Sequence, residues 1–329
     1  MSRSRRNGAA GASRRGPFGL LLRTKRNEEG TGLPDDSQRA ESAFGALLRA
    51  ILAASPLKAA GFIVTIYGDV VEPRGDVVWT GNLIETCAAV GISETLVRTA
   101  VSRLVAAGQL CGEREGRRSF YRLAAPARAE FAAAARLLFG PPEAADWHFV
   151  HLTGPAPDEA LQVLERAGHA RLGPRLAVGA RSLPPLRQPA VVFKAEVLSG
   201  ERDLGAFAAD HWNLALHADA YRAFLGRFGP LAGLLEGTNR LSAAESLVAR
   251  LVLVHQYRLV VLRDPRLPQA ALPADWPGEA ARRLFTGLYI RLSPEADRHV
   301  ARNFVTADGP LPEASEATLR RLALLREAV

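Results

Sequence analysis

One stretch of this 329-residue sequence carries side chains suited to hydrogen bonding with a polyanion. Apolar residues recur at helical spacing from position 97 to 105, and the opposite face is rich in hydroxyl and guanidinium groups: Thr95, Arg98, Thr99, Ser102 and Arg103. Ser93, at the start of the same helix, is a further candidate. Arg can donate two hydrogen bonds to the edge of guanine, and Ser or Thr can bond a base or a phosphate. These residues are therefore candidates for contact with DNA, although an ordinary amphipathic surface helix remains the alternative for this segment alone.

The ends of this helix are marked in the sequence. Ser93 is placed to cap its first turn, where Glu94 suits the positive end of the helix dipole. Gly108 follows the last turn, as a terminating glycine commonly does. The apolar face predicted to be buried consists of Val97, Ala100, Val101, Leu104 and Val105.

An antiparallel hairpin is predicted directly after the helix. Residues 109–111 and 119–123 read as short strands, with Glu115-Gly116 as the tip because glycine accepts a positive φ. Segment 91–123 has six arginines against three glutamates, and its net charge is +3. Arginines near the tip suit phosphates or the minor groove, and they are Arg114, Arg117, Arg118 and Arg122. The hairpin favours the DNA-binding interpretation of the preceding helix.

Two further helices are predicted upstream, over residues 58–67 and 80–90, with a loop or short strand over 68–78 between them. The order helix, strand-like loop, helix, tight turn, helix, hairpin is that of a winged helix-turn-helix domain. The sequence therefore predicts a DNA-binding module near its N-terminus.

Three separate segments carry motifs of one known protein family. The first is the run GFIVTIYGDVVEPRGDVVWT and its continuation to residue 110, and the second is WHFVHLT at 147–153. The third contains VHQYR at 254–258, RDPRLP at 263–268 and LPADWPG at 272–278. Over about residues 55–300, and in the same order, these segments resemble the PaaX family of phenylacetic-acid-degradation repressors.

This resemblance implies a transcriptional repressor of aromatic-acid catabolism genes, not an enzyme, with no cofactor. It implies a homodimer on an imperfect palindromic operator, released by an aryl-CoA thioester such as phenylacetyl-CoA or by another acyl-CoA. Aromatic or cationic candidates for effector contacts are Trp212, Tyr221, His255, Tyr257, Arg258 and Arg263. The alternative is that the aromatic residues belong to a helical core and that the arginines pair with carboxylates such as Asp264.

The predicted fold class is mostly α with α+β parts. We expect a disordered basic tail at 1–40, a winged helix at 41–125, a connector helix at 126–145, a ferredoxin-like domain at 146–204 and a C-terminal helical effector and dimerisation domain at 205–329. Residues 1–30 alone carry a charge of +6 out of a total of +8, so the high isoelectric point reports mainly on the tail.

Several features indicate a cytoplasmic protein without a metal or membrane segment. The longest apolar runs are interrupted by Arg250 or Arg258, and the tail lacks a signal-peptide core. The two cysteines, Cys87 and Cys111, are expected to be buried packing residues, and the scattered histidines lack metal-ligand spacing.

Two other functions are considered. A metal-dependent nuclease would use the ferredoxin-like domain, but its first strand, 147–153, contains no carboxylate to hold a cation. An acyl-CoA sensor could instead act through protein contacts, with its winged helix as a docking surface. Salt-sensitive DNA affinity would distinguish the repressor from such a sensor.

Overall fold

The computed structural model describes residues 36–75, 77–141, 145–237 and 240–327, with side chains from residue 43 onward. The predicted tail at 1–40 lies outside the described residues except for positions 36–40. Those five positions were predicted to belong to the disordered tail, but they are the first residues of helix α1, Asp36–Ala54.

The N-terminal part consists of α2 (Ala59–Ile66), β1 (Val77–Trp79), α3 (Thr80–Ala88), α4 (Glu94–Ala106), β2 (Leu110–Glu115) and β3 (Arg118–Leu123). The three strands form an antiparallel sheet in the order β1-β3-β2. The hairpin is longer than predicted, because Glu115 pairs with Arg118 and only two residues form its loop. Gly116 in that loop has a φ of 58°, which explains the glycine.

The segment predicted as a loop or short strand over 68–78 is helical as far as Arg74, and strand β1 begins at Val77. A π-helical turn, Tyr67–Val71, and a 3-10 turn, Glu72–Arg74, continue α2 before the chain reverses at Gly75, whose φ is 116°. Apolar and polar side chains of the π-helical turn are buried, so tertiary packing extends the helix beyond the point where local propensity would end it.

A helix and a second sheet follow: α5 (Ala125–Phe139), β4 (Trp147–Leu152), α6 (Pro157–Arg166), β5 (Ala170–Arg171), β6 (Leu176–Gly179) and β7 (Ala190–Ala195). The sheet is antiparallel, in the order β5-β6-β4-β7, so the first strand in sequence lies at its centre. Alternate residues of β4 pack into different clusters: Val150 and Leu152 lie with α6, and Trp147 lies on the opposite face.

The remaining elements are mostly helices: α7 (Leu204–His211), α8 (Leu214–Glu236), α9 (Ala243–Val261), α10 (Gly278–Asn303), a short hairpin of β8 (Val305–Thr306) and β9 (Gly309–Pro310), and α11 (Glu316–Glu327). Helix α10 passes through Pro294 without interruption. Leu292, Ser293 and Ala296 are buried on both sides of this proline, so packing compensates for the missing backbone donor.

Residues 41–125 and 205–329 were expected to form separate domains, but they share one hydrophobic core. One hydrophobic cluster contains Phe62 and Ile66 of α2 together with Leu251 of α9, Phe285 of α10 and Leu325 of α11. The chain from Asp36 onward is one compact unit. Helix α5, predicted as a connector, contributes Phe139 to the same cluster.

Candidate nucleic-acid interface and adjoining cavities

Helix α4 presents the predicted polar face to solvent. Its side chains Val97, Ala100, Val101 and Leu104 are buried, whereas Val105, predicted to be buried, is 38% exposed. The six polar candidates are all exposed on this helix or at its cap: Ser93, Thr95, Arg98, Thr99, Ser102 and Arg103. The Ser93 hydroxyl accepts a hydrogen bond from the Leu96 backbone N–H at 3.5 Å, as a capping residue should.

The two arginines of α4 differ in their surroundings. Arg98 forms an ion pair with Glu94, 2.6 Å between Nη2 and Oε1, and both side chains are exposed. Arg103 has no ion-pair partner among the described residues. Glu94 and Arg98 are four residues apart, a spacing that favours an ion pair on a helix, so the sequence does contain a signal for this pair. A phosphate or base approaching Arg98 would therefore compete with Glu94.

The hairpin places three arginines near its tip. Arg114 Nε donates to the Gly116 carbonyl at 3.3 Å, and the guanidinium of Arg118 lies 5.1 Å from the centroid of the Trp79 ring. Arg117 occupies the two-residue loop. Trp79 holds Arg118 in place through a cation–π contact, a role for which the sequence offered no local signal.

The fourth hairpin arginine has a partner across the strands. Arg122 pairs with Glu113, 2.8 Å between Nη2 and Oε1, which reduces its availability to an anion. The hairpin is tied to the rest of the domain by two bonds to β3: the Thr80 hydroxyl donates to the Ser119 carbonyl at 2.7 Å, and the Tyr67 hydroxyl to the Tyr121 carbonyl at 3.1 Å.

The six residues predicted for effector contacts do not meet in one place. Trp212 donates from Nε1 to the Gly168 carbonyl at 2.9 Å and packs beside Trp147. Tyr221 is buried, and its hydroxyl donates to Asp264 Oδ2 at 2.5 Å. These aromatic side chains are structural parts of the core, because each one is already surrounded by protein and hydrogen-bonded within it.

The remaining four candidates belong to or follow α9. Tyr257 is stacked on Phe285 with 4.1 Å between ring centroids, and Arg263 is exposed. His255 is buried, and its Nδ1 lies 2.9 Å from the Thr65 hydroxyl oxygen. Burial lowers the pKa of His255 to about 4, so it is neutral near pH 7. Arg258 alone among the six lines a cavity beside the N-terminal helices.

A buried cluster of charges joins the N-terminal part to α9, α10 and α11. Asp69 accepts bonds from Arg250 Nε at 2.9 Å and from the Tyr289 hydroxyl at 2.8 Å, and it lies 3.3 Å from Arg321 Nη1. Asp297 pairs with Arg250 at 2.7 Å and with a further buried guanidinium, that of Arg74, at 2.6 Å. Burial opposes the charge on Arg250, but the two carboxylates outweigh it and raise its pKa.

Two cavities flank this cluster and share Ala135 and Phe139 as walls. One, of about 290 Å³, lies between α2, α5 and α9 and includes Phe131, Val254 and Arg258. The other, of about 530 Å³, lies between α5 and α11 and contains three arginines, Arg136, Arg320 and Arg321.

The described residues include no group of three or more His, Cys, Asp or Glu side chains placed to hold a metal ion. Burial raises the pKa of the Cys87 thiol to about 12, whereas Cys111, predicted to be buried, is exposed. Cys111 is exposed because β2 has only Leu110 facing the core. Among the helices that the structure describes, none is both long enough and apolar enough to span a membrane.

Comparison with known proteins gives matches over both halves of the chain. A model of the PaaX-like protein family matches residues 58–127, and one of the PaaX-like protein C-terminal domain matches residues 212–302. The transcriptional repressor PaaX of Escherichia coli (strain K12) is 30% identical in an alignment of 287 residues that covers 82% of this chain and 91% of that protein. The solved structure of the uncharacterized protein Rv0674 from Mycobacterium tuberculosis is 20% identical, covers 80% of this chain and 97% of its own, and has a TM-score of 0.41.

Proposed function

Because the chain belongs to the PaaX-like family of transcriptional repressors, we propose that it represses genes of aromatic-acid catabolism by binding their operator and is released by an aryl-CoA thioester. The observation that carries the DNA-binding part is the exposed face of α4 beside the arginine-bearing hairpin. Members of this family are regulators, so a nuclease activity is set aside.

We propose that residues 41–125 form a winged helix-turn-helix, with α3 and α4 as the helix pair and β2-β3 as the wing. In such domains the second helix of the pair enters the major groove. Thr95, Arg98, Ser102 and Arg103 would then face base edges and phosphates, while Ser93 and Thr99 lie beside them. Arg114, Arg117 and Arg118 of the wing would contact the flanking backbone or the minor groove.

The region 146–204 supports a ferredoxin-like assignment by its strand order. The first strand lies between the third and the fourth, and α6 connects the first strand to the second, which is an edge strand. The second helix of that fold is missing between β6 and β7 in the described residues. We propose that this region and the helices of 205–329 serve dimerisation and effector sensing.

Two copies of the protein would place their α4 helices on half-sites of an imperfect palindrome. For two-fold helix-turn-helix proteins the half-site centres lie about 34–36 Å apart, or a multiple of one turn. The proposed effector is phenylacetyl-CoA or a related acyl-CoA. Support comes from the family and from the cavities between the N-terminal part and the C-terminal helices.

Selection from a random duplex library tests the DNA-binding proposal and identifies the operator sequence in the same experiment. We expect enrichment of one imperfect palindrome, with affinity that falls steeply as salt rises. Phenylacetyl-CoA should release the selected duplex in a gel-shift titration, whereas CoA should not. If no sequence is enriched and binding is insensitive to salt, the repressor proposal fails and the sensor that acts through protein contacts gains support.

A further inference from the structure

Arg258 is a partly buried cation whose only described hydrogen-bond acceptors are neutral. Its Nη1 donates to the Gly61 carbonyl at 3.0 Å and to the Thr65 hydroxyl at 3.1 Å, both on α2. No carboxylate among the described residues forms an ion pair with it. Burial lowers its pKa, which reflects a charge that its surroundings do not compensate. A guanidinium has five N–H donors, so two further nitrogens remain available to an acceptor in the cavity.

The cavity beside Arg258 is otherwise mostly apolar. Its walls include Val64, Phe131, Ala134, Leu138, Val254 and Leu262. Two carboxylates also line it, but Asp69 is neutralised by Arg250 and Arg321, and Glu130 is exposed at the rim. A volume of about 290 Å³ admits a single ring with a short side chain. The chemistry of the walls therefore fits an apolar acyl group with one oxygen acceptor.

The neighbouring cavity carries arginines at its rim, and its walls also include one carboxylate, that of Glu72. Arg136 is exposed there, Arg320 forms an exposed pair with Glu316, and Arg321 lies behind them on the ring of Phe139. Arginine forks match phosphate oxygens well. The two cavities adjoin along α5, with Ala135 and Phe139 as their common wall, so a ligand that passes over this edge of α5 would place its acyl end near Arg258 and its anionic end near Arg136 and Arg320.

We propose that these two cavities form the effector site: the α2–α5–α9 cavity takes the aryl-acyl group with its carbonyl oxygen on Arg258, and the α5–α11 cavity takes the phosphates. This assignment rests on the aryl-CoA effector proposed above. It moves the site away from Trp212, Tyr221 and Tyr257, which are committed to the core.

The same residues provide a route from ligand to DNA. Arg258 joins α9 to α2, and α2 packs directly against α4, the helix proposed to enter the groove. A ligand oxygen held by the remaining nitrogens of Arg258 would draw the guanidinium towards the cavity and lengthen its bonds to Gly61 and Thr65. Binding would therefore loosen the attachment of α2, and a ligand can shift a two-state equilibrium only through such differential contacts.

Calorimetric titration tests the site separately from DNA binding. The variants are Arg258→Gln, which removes the charge, and Ala134→Trp, which fills the acyl cavity and leaves Arg258 in place. Arg263→Gln is the matched control, because Arg263 is an exposed arginine just beyond the same helix. Circular dichroism establishes that each variant is folded.

We expect Arg258→Gln and Ala134→Trp each to weaken phenylacetyl-CoA binding by tenfold or more, and Arg263→Gln to change it less than twofold. Wild-type affinity in both cavity variants would overturn the site while leaving the aryl-CoA effector intact. Failure of the wild type to bind phenylacetyl-CoA would overturn both. If the ligand binds with the expected pattern among the variants but the protein has no affinity for DNA, the repressor proposal is wrong and the effector site stands.

Free phenylacetate and CoA distinguish the two halves of the site. The full thioester should bind at least tenfold more tightly than phenylacetate, and Arg136→Gln should reduce that advantage. Equal affinity for the thioester and the free acid would overturn the assignment of the α5–α11 cavity to the phosphates.

Discussion

Asp69 and Arg250 lie 181 residues apart in the sequence, yet their buried side chains are joined by a 2.9 Å bond from Nε to Oδ2. The bond links the π-helical turn after α2 to the middle of α9. Arg321 of α11 and the Tyr289 hydroxyl of α10 complete the coordination of the same carboxylate. The segment that supports α4 is thus held by three C-terminal helices through one charged group.

Replacing Arg250 with methionine should destabilise the protein strongly. Asp69 and Asp297 would each lose a buried partner, and breaking a buried ion pair from one side costs about 3–5 kcal/mol. Urea unfolding of wild type and Arg250→Met measures this loss. The control is Arg320→Met, whose exposed pair with Glu316 should contribute no more than about 1 kcal/mol. Equal losses in both variants would contradict the role assigned to the cluster.

Arg98 and Arg118 should affect DNA binding differently. Arg98→Ala is expected to cost about 1–3 kcal/mol on the selected operator and to relax base preference, because Arg98 lies on the exposed face of α4 that we propose enters the major groove. Arg118→Ala should weaken binding to all sequences alike, because an arginine of the proposed wing would contact the DNA backbone, which is the same for every sequence. Trp79 holds this arginine in position. Gel shifts on the operator and its single-base variants separate the two effects. Arg166→Ala serves as the control, because Arg166 is an exposed arginine on α6, away from α4 and the hairpin.

A sequence-independent loss for both Arg98→Ala and Arg118→Ala would refute this division between base reading and backbone contact. A loss for Arg166→Ala as large as either would show that total charge, and not its position on α4 or the wing, governs affinity.

Stability should fall as the pH is lowered from 7 to 5, partly because of His255. Burial holds its pKa at about 4, while the unfolded chain protonates near 6.5. The unfolded state therefore binds more protons in this window, so the stabilisation is complete above pH 6.5 and is lost as the pH falls towards 4. The loss between pH 7 and 5 should be about 1–2 kcal/mol for this one group.

The variant His255→Asn keeps a hydrogen-bonding group near Thr65 but does not titrate. Denaturation at pH 7 and pH 5 should show a smaller loss for this variant than for wild type. His169, whose pKa burial also lowers to about 4, continues to contribute in both proteins. An unchanged pH dependence in His255→Asn would exclude this histidine as a cause.

Tyr221→Phe should reduce stability without affecting phenylacetyl-CoA binding. The lost bond is a 2.5 Å donation to the buried carboxylate of Asp264, and hydrogen bonds to charged groups contribute about 1.5–3 kcal/mol. Tyr67→Phe is a matched control, because its hydroxyl donates to the neutral carbonyl of Tyr121 and should cost about 1 kcal/mol. A tenfold loss of ligand affinity in Tyr221→Phe would instead place this residue in the effector site.

Local pattern in the sequence was sufficient to predict α4 and the hairpin. Helical periodicity, the Ser93 cap and Gly116 act within a few residues, so their effect does not depend on how the rest of the chain folds. The exposed polar face of α4 follows from the same periodicity. For that reason the candidate DNA contacts on α4 are all on the surface, as predicted. Val105 departs from the periodic pattern, because it was predicted to be buried and is exposed.

Tertiary structure alone decided what the C-terminal motifs do. The residues His255, Tyr257 and Arg258 share one short segment, yet one bonds Thr65, one stacks on Phe285 and one lines a cavity. Adjacent positions on a buried helix point in different directions, so their roles depend on which distant elements pack around them. The sequence alone could not predict that α10 continues through Pro294 or that Asp69 pairs with Arg250. The reason is the same: the stabilising contacts come from segments far away in the chain.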